Sequence, residues 1–88
     1  MEKEKLIHLT RTLKVSELSG DKVMIDFESG KYYMLQGVAN DIWEMIQTDI
    51  TFGDLIAKLL EEYDVSEEEC TASTADFLEK LEKNGIIA

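Results

Sequence analysis

The sequence predicts an α+β domain of the winged helix-turn-helix type, in which a three-stranded antiparallel sheet is followed by three helices. Two observations indicate this order: apolar residues alternate with polar ones up to residue 35, and they recur at helical spacing after Gly37. A three-stranded sheet needs a cover on one face, and the helices are the elements available to provide it. We expect the 88 residues to form one domain over 1–88.

The alternating part predicts strands within about 9–35, after a start over 1–8 that is either loose or a short leading strand. The alternating apolar residues are Leu13 and Val15, then Val23, Ile25 and Phe27, then Tyr33 and Leu35. Turn residues separate the three runs at 19–21 and 28–31. The pattern therefore predicts a meander with one face of each strand buried.

Helical spacing predicts three helices, at about 37–47, 52–63 and 67–83. Thr51 and Ser66 each stand three residues before an acid, so both are expected to open a helix through a capping box. The pair Asn84-Gly85 is a left-handed stop signal for the third helix. The two isoleucines that follow are expected to fold back onto the core.

The acidic composition limits the classes of partner that the protein is expected to bind. Nineteen acids against nine bases give a formal net charge of −10, which repels phosphates and favours a basic partner. A role of the acids in solubility fits equally well. The lone cysteine excludes an internal disulfide, and apolar runs of only a few residues predict no membrane span, so we expect a cytoplasmic protein.

Residues that could carry catalysis are few. His8 is the only histidine and lies near the start of the chain, while Cys70 falls in the third helix and fits a small buried hydrophobe. The sequence has no glycine-rich phosphate loop and no ligand spacing for a metal. We therefore expect a binding module that is not an enzyme and that uses no metal or other cofactor.

The third strand is one candidate binding surface. If Tyr33 and Leu35 point into the core, Tyr32 and Met34 point the other way. If this strand is also an edge of the sheet, its unpaired main-chain groups could bind a peptide as an added strand. The same edge could instead pair with a second copy of the chain. DNA binding through the third helix is disfavoured because that helix carries six acids and two lysines.

Three stretches, 31–46, 59–66 and 77–86, resemble a known family. The first reads Lys-Tyr-Tyr-Met-Leu-Gln-Gly-Val-Ala-Asn-Asp-Ile-Trp-Glu-Met-Ile, and it is similar to the segment that closes the third strand and opens the first helix in PqqD-like proteins. These are the recognition elements of ribosomally made, post-translationally modified peptides (RiPPs), and the standalone form of lasso-peptide and related clusters is the most similar type. The resemblance covers about 13–87. It departs at Gln36, where an asparagine would often cap the first helix.

The resemblance implies a non-catalytic carrier that binds the leader segment of a precursor peptide and presents it to a modifying enzyme. That enzyme would be a leader peptidase, a cyclase or a radical S-adenosylmethionine enzyme. The leader would add beside the third strand and lie against the third helix. The implied peptide-binding residues are Lys31, Tyr32, Tyr33, Met34 and Leu35 on the strand, and Thr71, Thr74, Ala75, Asp76, Leu78 and Leu81 on the helix. For Leu78 and Leu81, a place in the core is the favoured alternative.

Overall fold

The computed structural model describes residues 1–11, 13–18 and 21–88, except for the side chains of residues 18 and 21. Its elements, in chain order, are β1 (Leu6–Ile7), β2 (Lys14–Leu18), β3 (Asp21–Asp26), β4 (Lys31–Leu35), α1 (Val38–Met45), β5 (Ile50–Thr51), α2 (Phe52–Glu62) and α3 (Glu67–Lys83). The predicted α+β class, with its three-stranded sheet and three helices, is confirmed. The turn expected at 19–21 falls largely outside the described residues. No helix in the described ranges is long and apolar enough to cross a membrane.

The main sheet is the predicted meander, with the strand order β2-β3-β4 and antiparallel pairing throughout. Met24 and Asp26 of β3 are buried, whereas Phe27, just after this strand, is exposed. The core therefore lies on the face of β3 that carries Met24 and Asp26. Val23, on the face with Ile25 and Phe27, is only 7% exposed but lies outside the core cluster. Alternation along a strand separates two faces, but it does not identify the covered one when both are partly apolar.

The start of the chain forms a short leading strand, one of the two alternatives for 1–8. Ile7 pairs with Ile50 and is fully buried, and the Phe52 N–H donates to the Lys5 carbonyl over 2.8 Å. The partner strand β5 was not predicted, because a two-residue strand is too short to show a period. At the other end of the chain, the Ala88 N–H donates to the His8 carbonyl over 2.9 Å, so His8 lies in an anchored segment.

The helix boundaries follow the local signals with one correction. The hydroxyls of Thr51 and Ser66 accept from the N–H groups three residues on, over 3.3 and 3.1 Å. At α1 the N-cap is Gly37 and not Gln36, and it has no side-chain cap. Its φ of +57° lies in the left-handed region, where glycine is tolerated and other residues are strained.

The end of α3 is a Schellman motif built on Gly85, whose φ is +70°. The Gly85 N–H donates to the Glu82 carbonyl over 3.0 Å, and the Ile86 N–H donates to the Leu81 carbonyl over 2.9 Å. The chain then turns back, and Ile86 and Ile87 are buried as expected.

The apolar core lies between the inner face of the main sheet and the three helices. Met24 and Leu35 enter it from the sheet, and Trp43 and Leu59 enter it from α1 and α2. Cys70 of α3 is a free thiol buried in the same cluster, as predicted. This packing holds β4 against α1 and leaves the opposite face of the sheet uncovered by the described elements.

Candidate peptide-binding site

The strand β4 is an edge of the main sheet. Within the described residues it pairs with β3 alone, from Lys22 opposite Leu35 to Asp26 opposite Lys31. In an antiparallel edge strand, alternate residues direct their N–H and C=O groups away from the sheet. The edge can therefore accept a further strand through main-chain hydrogen bonds.

The side chains of β4 divide as the sequence predicted. Leu35 is buried in the core, and Tyr33 is half-buried against it. Tyr32 and Met34 lie on the opposite face, with 69% and 45% of their surface exposed. A strand added to this edge would thus meet the helix-covered face of the sheet on one side and an open face on the other.

The helix α3 approaches β4 at the end where β4 begins. Lys31 Nζ donates to Asn84 Oδ1 over 3.0 Å, and Arg11 Nη1 donates to the Asn84 carbonyl over 3.3 Å. Because a helix turns by about 100° per residue, Ser73, Phe77 and Lys80 share one side of α3 with Asn84. We call the edge of β4 together with this side of α3 the β4–α3 surface.

A small cavity of about 130 Å³ lies where α1 and the end of α2 approach α3. Val38 and Tyr63 line it on one side, and Cys70, Ser73 and Thr74 of α3 line it on the other. Val38 follows β4 by three residues and Ser73 belongs to the β4–α3 surface, so this cavity adjoins that surface. A bound peptide could place a small side chain there.

A carboxylate and a guanidinium hold the β3–β4 turn in place. Asp26 is 1% exposed, and both of its oxygens accept from Arg11, over 2.5 and 3.2 Å. The Ser29 hydroxyl and the Glu28 N–H also donate to it, over 2.8 and 3.1 Å. The hydrogen bonds from Arg11 are the main cause that lowers the pKa of Asp26 to about 2, so this carboxylate is charged at neutral pH. The cluster fixes the position at which β4 starts.

Tyr33 carries a hydroxyl group that forms no hydrogen bond within the described part of the fold. Its hydroxyl oxygen is buried and has no hydrogen-bond partner among the described residues. Burial is the main cause that raises the pKa of Tyr33, with a further contribution from the charge of Asp26. The phenol is therefore neutral at pH 7 and keeps its hydrogen-bond donor.

Comparison with known proteins decides the family. The family model described as "Coenzyme PQQ synthesis protein D (PqqD)" matches residues 21–87. The chain belongs to the PqqD family. The match includes β3, β4 and the three helices, and thus all of the β4–α3 surface. No curated protein matches the sequence.

Two solved structures share this PqqD-family fold. One is TbiB1 in complex with the TbiA(beta) leader peptide, with a TM-score of 0.75 at 18% identity over 91% of this chain and 93% of that chain. The other is lasso peptide synthetase B1 complexed with the leader peptide, with a TM-score of 0.73 at 23% identity over 93% of this chain and 96% of that chain. At these identities the likeness establishes the fold.

The structure brings the strand-side residues of the predicted site together on β4 but divides the helix-side ones. Thr74, Leu78 and Leu81 are buried, so for the two leucines the favoured alternative of a core position is confirmed. Thr71 and Ala75 are half-buried and lie about 140° and 180° around α3 from Asn84. The peptide contacts of these five residues stay predictions.

Asp76 is exposed on α3 and pairs with Lys80 over 3.4 Å, at the rim of the β4–α3 surface. Sequence reasoning did not name Ser73, Phe77 or Asn84 as candidate peptide contacts. Phe77 packs against the core but is only half-buried, so part of its ring is exposed. Helical spacing groups these residues on one side, but it gives no sign that Asn84, at the end of this side, contacts Lys31 of β4.

The described residues contain no cluster of histidine, cysteine and carboxylate side chains that could hold a metal ion. His8 Nδ1 lies 2.7 Å from Asp49 Oδ1 at the surface, while the Cys70 thiol is buried in α3. The His8 imidazole and the Cys70 thiol therefore lie in different environments, one at the surface and one in the core. The β4–α3 surface offers main-chain groups and apolar side chains to a ligand.

Proposed function

We propose that this protein binds the leader segment of a ribosomally synthesised precursor peptide by strand addition to β4, and presents it to a modifying enzyme or a leader peptidase. The observation that carries the proposal is the free edge of β4 beside α3, in a member of the PqqD family. Support also comes from the two solved structures of the same fold, whose names describe complexes with leader peptides.

The leader would supply an extended segment of about five residues, matching the length of β4. Its main chain would bond to the outward N–H and C=O groups of Lys31–Leu35. Its inward side chains would face Phe77 and the cavity beside Val38, and the Tyr33 hydroxyl would gain a partner. The contact between Lys31 and Asn84 bounds this segment at one end.

The negative charge suits a leader that carries lysine or arginine. Along α3, the acids of the first turn and Asp76, Glu79 and Glu82 are exposed at the surface. Long-range attraction would speed the encounter at low salt, while main-chain bonds would determine the complex that forms. The same charge opposes the approach of a DNA backbone to α3.

We propose that the protein acts by binding and not by catalysis, in the cytoplasm, and that its partner enzyme performs the chemistry. In support, the buried Cys70 thiol has no base beside it among the described hydrogen bonds, and His8 is paired with Asp49. A carrier of this kind needs a surface for the leader and leaves the remainder of the peptide accessible.

Fluorescence anisotropy tests the proposal. The probe is a labelled leader segment of a short precursor peptide encoded in the same gene cluster, with a scrambled leader of equal composition as control. We expect saturable binding to the leader alone. A set of leader peptides with one N-methylated amide each should lose affinity with a period of two along the bound stretch, because alternate amides of an added strand bond to β4.

Equal or absent binding of the two peptides would refute leader recognition. Loss of affinity without a period of two would refute strand addition while leaving leader binding intact. Sedimentation velocity over a range of protein concentrations tests the competing occupant of the edge, a second copy of the chain. A dimer that the leader does not dissociate would assign the edge to self-association.

A further inference from the structure

The open face of the main sheet carries a groove of about 490 Å³ beside the edge strand. Its apolar lining comes from Val23 and Ile25 of β3, Phe27 of the following turn, and Tyr32 and Met34 of β4. Phe27 and Tyr32 are 74% and 69% exposed, so two aromatic rings stand in solvent on this face. Such a concentration of exposed apolar surface in an acidic protein indicates an interaction site.

Along two rows of this face, the exposed apolar side chain is the one at the free edge. The register places Lys14 opposite Ile25 and Ile25 opposite Tyr32, which forms one row across the sheet. The next row runs from Ser16 through Val23 to Met34. In both rows β2 contributes a polar residue, β3 an aliphatic one, and β4 a large exposed one.

This distribution of apolar side chains distinguishes between two kinds of bound partner. A protein docked across the whole face would also cover β2, where Lys14 and Ser16 would have to be desolvated. A strand added to β4 would place its outward side chains beside Tyr32 and Met34, about 5 Å away across the strands, and would leave β2 untouched. The lining fits the second arrangement.

We infer that this open face is a second recognition surface for the leader. The face contacts two apolar side chains of the added strand that lie two residues apart. The inference rests on the proposed function and deepens it. One leader residue would extend the row that ends at Tyr32 and the other the row that ends at Met34. Aliphatic or aromatic residues match these neighbours, whereas charged residues would be desolvated there without a partner.

The test compares a double variant with a matched control. Tyr32→Thr/Met34→Thr removes the apolar groups of β4 but keeps a residue type that favours strands. Leu6→Thr makes the same kind of change at an exposed position on β1, away from the groove. Circular dichroism establishes that both variants are folded, and anisotropy with the labelled leader measures their affinities.

We expect the double variant to raise Kd about tenfold, since each cross-strand pair is worth roughly two- to fivefold, and Leu6→Thr to stay within twofold of the parent. A scan that replaces each leader residue by serine, measured on both the parent and the double variant, then locates the contacts. Two leader positions, two residues apart, should lower affinity for the parent and have little further effect on the double variant.

Three results would overturn the inference. If the N-methyl scan shows a period of two but the double variant binds within twofold of the parent, the open face does not read the leader, and the proposed function stands. If the parent does not bind the leader, both fail. If the parent dimerises and the double variant is a monomer with unchanged leader affinity, the groove belongs to a second copy of the chain.

Discussion

Replacing Tyr33 by phenylalanine tests whether the site keeps an unsatisfied polar atom in the free protein. The change removes one oxygen from β4 and leaves the ring in place, so it creates little cavity. That oxygen is buried and has no hydrogen-bond partner among the described residues. A buried polar group without a partner costs about 1–3 kcal/mol. Tyr33→Phe should therefore raise the free energy of unfolding, by about 1 kcal/mol at the lower end of that range.

Thermal unfolding followed by circular dichroism measures this effect. For a domain of this size, about 1 kcal/mol corresponds to a Tm increase of about 4–8 °C. The matched control is Tyr32→Phe, because the neighbouring Tyr32 is 69% exposed and its Tm should not change. A lower Tm for Tyr33→Phe would show that the hydroxyl has a partner in the free protein and would refute the reasoning.

The same substitution should have the opposite effect on peptide binding. If a leader group accepts a hydrogen bond from the Tyr33 hydroxyl, its loss should weaken binding by about fivefold, equivalent to about 1 kcal/mol. If the Tyr33→Phe variant is more stable than the parent and binds the leader less tightly, the hydroxyl that is unpaired in the free protein forms a hydrogen bond with the leader in the complex. An unchanged leader affinity would show that the leader does not reach this hydroxyl.

Three further predictions concern the fold that carries the site. Tyr63→Phe deletes the hydrogen bond that the Tyr63 hydroxyl donates to Asp41, so the free energy of unfolding should fall by about 1 kcal/mol, and a Tm equal to the parent's would contradict this. The pKa of Asp26 is lowered from 3.8 to about 2, chiefly by hydrogen bonds from Arg11, so its stabilisation is present above pH 4 and should be lost as the pH falls toward 2. Urea titrations at several pH values should show this loss of stability in the parent, and the Asp26→Asn variant should not show it. If the unfolding free energies of the parent and the variant depend equally on pH, the loss comes from other titratable groups. Leu78→Ala should cost about 2–5 kcal/mol in urea unfolding because Leu78 is fully buried, and a cost below 1 kcal/mol would exclude a packed core position.

Local signals in the sequence were reliable wherever neighbouring residues determine the structure. The hydroxyls of Thr51 and Ser66 cap α2 and α3, which is the half of each predicted capping box that the described hydrogen bonds contain, and Gly85 ends α3 in a left-handed turn. Each of these depends on hydrogen bonds or dihedral angles within a few residues. The N-cap of α1 was misplaced by one residue: the resemblance puts a capping residue at position 36, whereas Gly37, with positive φ and no side-chain cap, is the N-cap.

The amino-acid sequence by itself determined the α+β class, the strand and helix periods, and the alternation that puts Tyr33 and Leu35 on one face of β4 and Tyr32 and Met34 on the other. Only the tertiary structure decided that β3 buries Met24 and Asp26 in the core, that β1 pairs with β5, and that Asn84, at the end of α3, contacts Lys31 of β4. Periodicity tells which residues share a face. Which face is covered, and by what, depends on contacts between residues far apart in the chain, such as Lys31 with Asn84.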